Sequence, residues 1–60
     1  MNWEEAKRAM NDGAKVAQDT FAPLRYFYMK FGVLFKDDGE CMEDWYKDLP
    51  WQKNGWRVVG

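Results

Sequence analysis

Two residue types that carry much of enzyme chemistry are missing from this 60-residue sequence, which contains no histidine and no serine. Without them the chain has no imidazole base and no serine nucleophile, so a Ser–His–Asp triad is excluded. Cys41 is the only cysteine. Because no histidine can activate it, we interpret it as an incidental or packed thiol. We therefore expect a protein that is not an enzyme.

The single cysteine also limits how the chain can be stabilised. One thiol cannot form an internal disulfide, and without histidine it cannot complete a zinc site. We expect no metal and no cofactor. Five acidic residues cluster between positions 37 and 44. Since they do not follow the spacing of a calcium-binding loop, we interpret them as a solvated acidic loop.

Long apolar runs and an excess of basic residues are missing as well. No run approaches the roughly 18 residues of a membrane span, and no segment resembles a signal peptide. We therefore expect a cytoplasmic protein without membrane contact. The formal net charge is −1, which argues against a general nucleic-acid binder, because such proteins carry a basic patch.

Aromatic rings, by contrast, are abundant. The chain has four tryptophans, three tyrosines and four phenylalanines, which together make up 18% of its residues. A chain this short buries only about 60% of its unfolded surface, so burying every ring is difficult. Small domains without disulfides or metals commonly depend on partner subunits. We therefore expect homo-oligomers, with some rings facing a ligand or another chain.

The longest concentration of rings lies in residues 24–35, LRYFYMKFGVLF. Tyrosine, phenylalanine and valine favour strands. Gly32 interrupts the run and accepts the positive φ that a tight turn requires. The pattern predicts two antiparallel strands, residues 25–30 and 33–36, joined by a turn at Phe31-Gly32.

Residues 1–12 have the pattern of an amphipathic helix. Asn2 is a favourable N-cap, and Glu5 stands at the capping-box position three residues later. Gly13 follows at the position where a helix often ends in a left-handed conformation. The apolar residues share one stripe at helical spacing, namely Trp3, Ala6, Ala9 and Met10.

Two further strands are predicted, at residues 15–19 and 56–59, the second with Trp56 and Val58 on one face. Residues 40–49 show helical spacing of apolar side chains, and a structured loop is the alternative at this length. Turn signals stand at residues 37–39 and 54–55. The whole chain, residues 1–60, therefore predicts one α+β domain. In it, an N-terminal helix packs on a small three- or four-stranded antiparallel sheet.

The tryptophans are the most informative residues for function. Trp3 fits the core, because it lies on the helical stripe, whereas Trp51 could lie in the core or on the surface. Rings near Arg25, Lys53 or Arg57 would suit a nucleobase–phosphate ligand, which needs a stacking surface and cations. The same rings would also serve as anchors in a protein interface. Spacing alone does not separate these two uses.

Three short motifs together resemble the second Thoeris anti-defence family, small phage proteins that sequester cyclic-nucleotide immune signals. They are Asn2-Trp3-Glu4-Glu5-Ala6, then Gly13-Ala14-Lys15-Val16 with Phe21, and finally Gly55-Trp56-Arg57-Val58. The resemblance implies an α+β domain that forms homo-oligomers and holds ligands at subunit interfaces without turning them over.

Our leading hypothesis follows from this resemblance. The chain would be a phage-encoded, non-enzymatic inhibitor of host antiviral defence that sequesters a cyclic-nucleotide-type signal in the bacterial cytoplasm. The candidate ligand-binding residues are Phe21 and Trp56, the rings of two motifs, with Lys15 and Arg57 as cations. Neighbours on a strand point to opposite faces, so Arg57 joins Trp56 in one pocket only through a bend or a second subunit.

Two other hypotheses belong to different classes. In the first, a small phage protein inhibits a host defence or nucleic-acid enzyme by direct protein–protein binding. In the second, the chain is an oligomeric structural domain. A host polypeptide that co-purifies with the chain would distinguish the protein inhibitor from a protein that releases a small molecule on denaturation.

Overall fold

The structure, a computed structural model, describes residues 1–59 and confirms the predicted α+β architecture. One helix packs on a four-stranded antiparallel sheet whose strand order is β3-β2-β1-β4. The elements are α1 (Trp3–Asn11), β1 (Lys15–Gln18), β2 (Phe27–Lys30), β3 (Val33–Lys36), a 3-10 helix (Pro50–Gln52) and β4 (Trp56–Val59).

Helix α1 begins at the predicted cap. The Glu5 backbone N–H donates to Asn2 Oδ1 at 2.8 Å, and the Asn2 backbone N–H donates to Glu5 Oε1 at 3.0 Å. These reciprocal bonds satisfy donors that the first helical turn leaves free. The helix ends before Gly13, whose φ of 96° lies in the left-handed region. Its apolar stripe buries Trp3, Ala6 and Met10 against the sheet.

The predicted hairpin is confirmed, with a shorter first strand. Strands β2 and β3 pair from Phe27–Lys36 to Lys30–Val33. The loop residues Phe31 and Gly32 have φ values of 55° and 74°, and positive values at both positions are typical of a type I′ turn. Strand β2 begins at Phe27 rather than residue 25, because the Arg25 N–H donates to the Ala22 carbonyl in a separate turn.

Strand β1 lies in the middle of the sheet, between β2 and β4. It pairs with β4 from Lys15–Val59 to Gln18–Trp56, and it ends at Gln18, one residue earlier than predicted. Val58 occupies the same side of β4 as Trp56, as predicted from alternation. However, Val58 is 55% exposed and lies outside the core.

The helix interpretation of residues 40–49 is wrong, and the loop alternative is correct. The buried Gln52 side chain instead bonds three backbone groups near the end of this loop. Its Oε1 accepts from the Lys47 and Leu49 N–H groups at 2.9 and 3.2 Å, and its Nε2 donates to the Trp45 carbonyl at 2.8 Å. The 3-10 helix that carries Gln52 was not predicted.

Candidate functional site

The sheet has two faces with different surroundings. We call the side that packs against α1 the covered face, and the other side the open face. Because side chains alternate along each strand, the register assigns every residue to one face. The strand residues of the open face are Lys15, Ala17, Tyr28, Lys30, Val33, Phe35, Arg57 and Val59, and Tyr26 lies on the same side just before β2.

Two of the four predicted ligand-binding residues meet on the covered face. Trp56 is only 3% exposed, and its indole Nε1 donates to the Gln52 carbonyl at 2.8 Å. Phe21 packs edge-on against Trp56 with 5.7 Å between ring centroids. Trp3 lies 4.9 Å from Trp56 and stacks on Tyr46 at 4.6 Å. Burial of Trp56 among other rings leaves no open ring face for a ligand within this chain.

The other two predicted residues meet on the open face. Arg57 lies opposite Ala17 across the β1–β4 pair, and Lys15 lies two residues from Ala17 on the same side. The structure therefore divides the four candidates into two pairs on opposite faces. Alternation along β4 accounts for this division, because Trp56 and Arg57 are neighbours in sequence.

A groove of about 480 Å³ runs over Ala17 on the open face. Ala17 is only 2% exposed, and its short side chain leaves room between the longer ones around it. The lining combines three cations with one ring and several apolar side chains, namely Lys15, Ala17, Pro23, Leu24, Arg25, Tyr26, Arg57 and Val59. This volume lies in the range of small-molecule sites.

The cations of the groove differ in how firmly they are held. Arg57 Nη1 lies 3.3 Å from Asp19 Oδ1, with both side chains more than half exposed, so this pair contributes little and can be exchanged for a ligand anion. Lys15 Nζ lies 5.0 Å from the Tyr26 ring centroid, within cation–π range. Arg25 is bound more firmly, since its partner Asp37 is only 13% exposed.

Sequence reasoning missed Tyr26 as a wall of this groove, and it missed Gln52. Tyr26 had a usable signal, because it alternates with Phe27 and must face away from a core that contains Phe27. Gln52 had none, because a single glutamine in a polar segment gives no periodic pattern. Its role depends on where the loop of residues 45–49 folds back.

The remaining reactive groups lie elsewhere. Cys41 is a free, exposed thiol next to β3, outside the groove lining. Among residues 1–59, no cluster of three or more His, Cys, Asp or Glu side chains is placed to hold a metal ion. None of the helices in that range is long and apolar enough to cross a membrane. The groove itself offers positive charge, one ring and apolar walls.

No protein-family model, no curated protein and no solved structure matches this chain.

Proposed function

We propose that this protein binds and sequesters a nucleotide-derived signal, of cyclic-nucleotide type, in the groove over Ala17. The observation that carries the proposal is the pair of exposed cations, Lys15 and Arg57, that flank this groove beside the Tyr26 ring. Guanidinium and ammonium groups bind phosphate through charge-assisted hydrogen bonds. A nearby ring supplies a surface on which a nucleobase can stack.

The biological setting of the proposal comes from the motif resemblance. In that setting the chain is a phage-encoded inhibitor of a host antiviral defence and acts in the cytoplasm of the infected bacterium. Phe21 and Trp56 then support the site from the covered face, while Lys15 and Arg57 contact the ligand.

Binding without turnover is part of the proposal. The groove lining contains no Cys, His, Asp or Glu side chain, and Cys41 lies outside it. A Cys41→Ala variant should therefore keep full inhibitory activity in an infection assay. Loss of activity in a folded Cys41→Ala protein would contradict the non-enzymatic proposal.

Self-association also belongs to the proposal. Leu24, on the rim of the groove, is 95% exposed, and Val58 is 55% exposed. Both side chains would be covered if further copies of the chain packed against them, and small domains without disulfides or metals commonly depend on partner subunits. Sedimentation equilibrium at micromolar concentration should give a mass above one chain, and a monomer with a high melting temperature would contradict it.

The ligand proposal is tested by calorimetric titration with cyclic dinucleotides and cyclic ADP-ribose isomers. Arg57→Ala should weaken binding about ten- to a hundredfold, because it removes a charge-assisted contact worth roughly 1.5–3 kcal/mol. Its melting temperature should stay nearly unchanged. The matched control is Lys53→Ala, which removes another exposed cation, one that forms an exposed ion pair with Asp48 at 3.6 Å.

Absence of binding to the parent protein at micromolar concentration would overturn the proposal. Direct inhibition of a host protein would then be the better hypothesis, because the apolar side chains of Leu24 and Phe31 are 95% and 94% exposed and are available for contact with a partner. A stoichiometric host polypeptide that co-purifies with the parent and is lost from Leu24→Ala would support that alternative.

A further inference from the structure

The open face continues beyond the groove as a row of rings on β2 and β3. Tyr28 lies opposite Phe35, with ring centroids 5.6 Å apart and planes 23° apart. Tyr26 lies 6.3 Å from Tyr28 on the same side. All three rings are partly exposed. We call Tyr26, Tyr28 and Phe35 the ring strip.

Cations accompany the ring strip along its length. Lys15 stands over Tyr26 at one end, and Lys30, which is exposed, follows Tyr28 on the same side of β2. None of the strand residues on the open face is acidic. The acids nearest the groove, Asp19 and Asp37, pair with arginines there. The open face is therefore basic, although the chain as a whole carries a net charge of −1.

From this arrangement we infer that the open face binds single-stranded nucleic acid a few nucleotides long. Because Tyr28 and Phe35 already stack on each other, unpaired bases add to the free faces of this pair and to the Tyr26 ring, and the phosphates between them pair with Lys15, Lys30 and Arg57. Rings on neighbouring strands of a sheet commonly stack two or three unpaired bases in this way. A duplex is excluded as the ligand, because its bases already stack on one another. The inference rests on the proposed function, because it places one of the phosphates in the groove over Ala17.

The test is fluorescence anisotropy with labelled oligo(dT) and oligo(rU) of two, four and eight nucleotides, at several salt concentrations. We expect affinity to rise from two to four nucleotides and then to level off. It should fall with added salt by about 0.7 log units per log unit of salt for each phosphate bound. Comparing the two oligomers shows whether the 2′-hydroxyl contributes.

Two variants locate the site. Tyr28→Ala should lower oligonucleotide affinity about five- to a hundredfold, since one stacked base is lost, whereas Tyr28→Phe keeps the ring and should bind like the parent. Lys30 Nζ lies 5.9 Å from the centroid of the Phe31 ring, which is not part of the ring strip, so Lys30→Glu leaves the strip in place and should lower the affinity and the salt dependence together. Circular dichroism melts of each variant confirm that it is folded.

The outcomes separate this inference from the proposed function. If the parent binds cyclic nucleotides while oligonucleotides of all lengths bind no tighter than a mononucleotide, the inference fails alone. If Lys30→Glu binds oligonucleotides as tightly as the parent, the inference also fails, whatever the effect of Tyr28→Ala. If the parent binds neither ligand, both proposals fail. Length-dependent binding that both variants weaken supports the inference.

Discussion

The two faces of this sheet both carry aromatic rings, but the neighbours of those rings differ. On the covered face, Phe27 and Trp56 contact other rings and apolar side chains. On the open face, Tyr26 and Tyr28 lie beside lysines and remain partly exposed. The aromatic content of a sequence therefore does not distinguish a core from a binding surface. In this sheet the two faces differ in the residues that alternate with the rings, because Lys30 follows Tyr28 on the open face whereas Met29 follows Phe27 on the covered face.

The largest expected effect on stability comes from removing the Trp56 ring, which lies at the centre of the covered face. Trp56→Ala should lower the free energy of unfolding by about 3–5 kcal/mol, because it leaves a cavity among buried rings. A domain of this size has little stability in reserve, so the variant should be largely unfolded at 25 °C. Urea titration followed by circular dichroism measures this. A Trp56→Ala protein that unfolds near the parent's midpoint would show that the covered face is not the core.

The next effect comes from the loop that helps to cover this face. Gln52→Ala should lower the free energy of unfolding by about 2–4 kcal/mol, because the Lys47 and Leu49 N–H groups and the Trp45 carbonyl lose their partner. The matched control is Lys53→Ala at the adjacent position, which should change the free energy of unfolding by less than about 0.5 kcal/mol. Equal effects of the two substitutions would mean that Gln52 does not hold the loop.

A smaller, stabilising effect is expected at the turn between the two strands of the ring strip. Phe31 has a φ of 55° and is 94% exposed, so its ring gains little from packing. Phe31→Asn should raise the free energy of unfolding by about 0.5–1 kcal/mol, because Asn-Gly is the preferred type I′ sequence. Phe31→Val is the control and should destabilise, since β-branched residues resist positive φ. Thermal melts that show the opposite order would contradict the turn assignment.

The smallest expected effect on stability concerns Asp38, which lies in the turn after β3 and on neither face of the sheet. This effect gives a baseline with which the larger ones can be compared. The Glu40 N–H donates to Asp38 Oδ1 at 2.9 Å, and this bond, with a smaller contribution from Lys36, holds the pKa of Asp38 below its usual 3.8. A lowered folded-state pKa stabilises the fold above about pH 4, and this stabilisation is lost as the pH falls through that pKa. Asp38→Asn should therefore melt slightly below the parent at pH 7. As the pH falls through the folded-state pKa of Asp38, the two melting curves should converge, and a gap that does not narrow with falling pH would exclude this origin.

Much of the fold could be predicted because its signals are local. Asn2 and Glu5 identify the start of α1, and Gly32 identifies the hairpin turn. Alternation on β4 also predicted that Trp56 and Arg57 would point to opposite faces. The groove could not be predicted, because its walls come from three separate segments. They meet only through the pairing of β1 with β2 and β4, which no local pattern specifies.

The central position of β1 also sets the order in which the chain can fold. The β2–β3 hairpin joins neighbouring segments and can form within microseconds, as hairpins generally do. Strand β1, however, pairs with β4, whose residues lie about forty positions further along the chain. Closing such a long loop carries an entropic cost before its contacts form. Strand β1 gains its second neighbour only when residues 56–59 pair with it, and Trp56 reaches the core with the same strand. We therefore expect the ring cluster and the sheet to be completed together, late in folding.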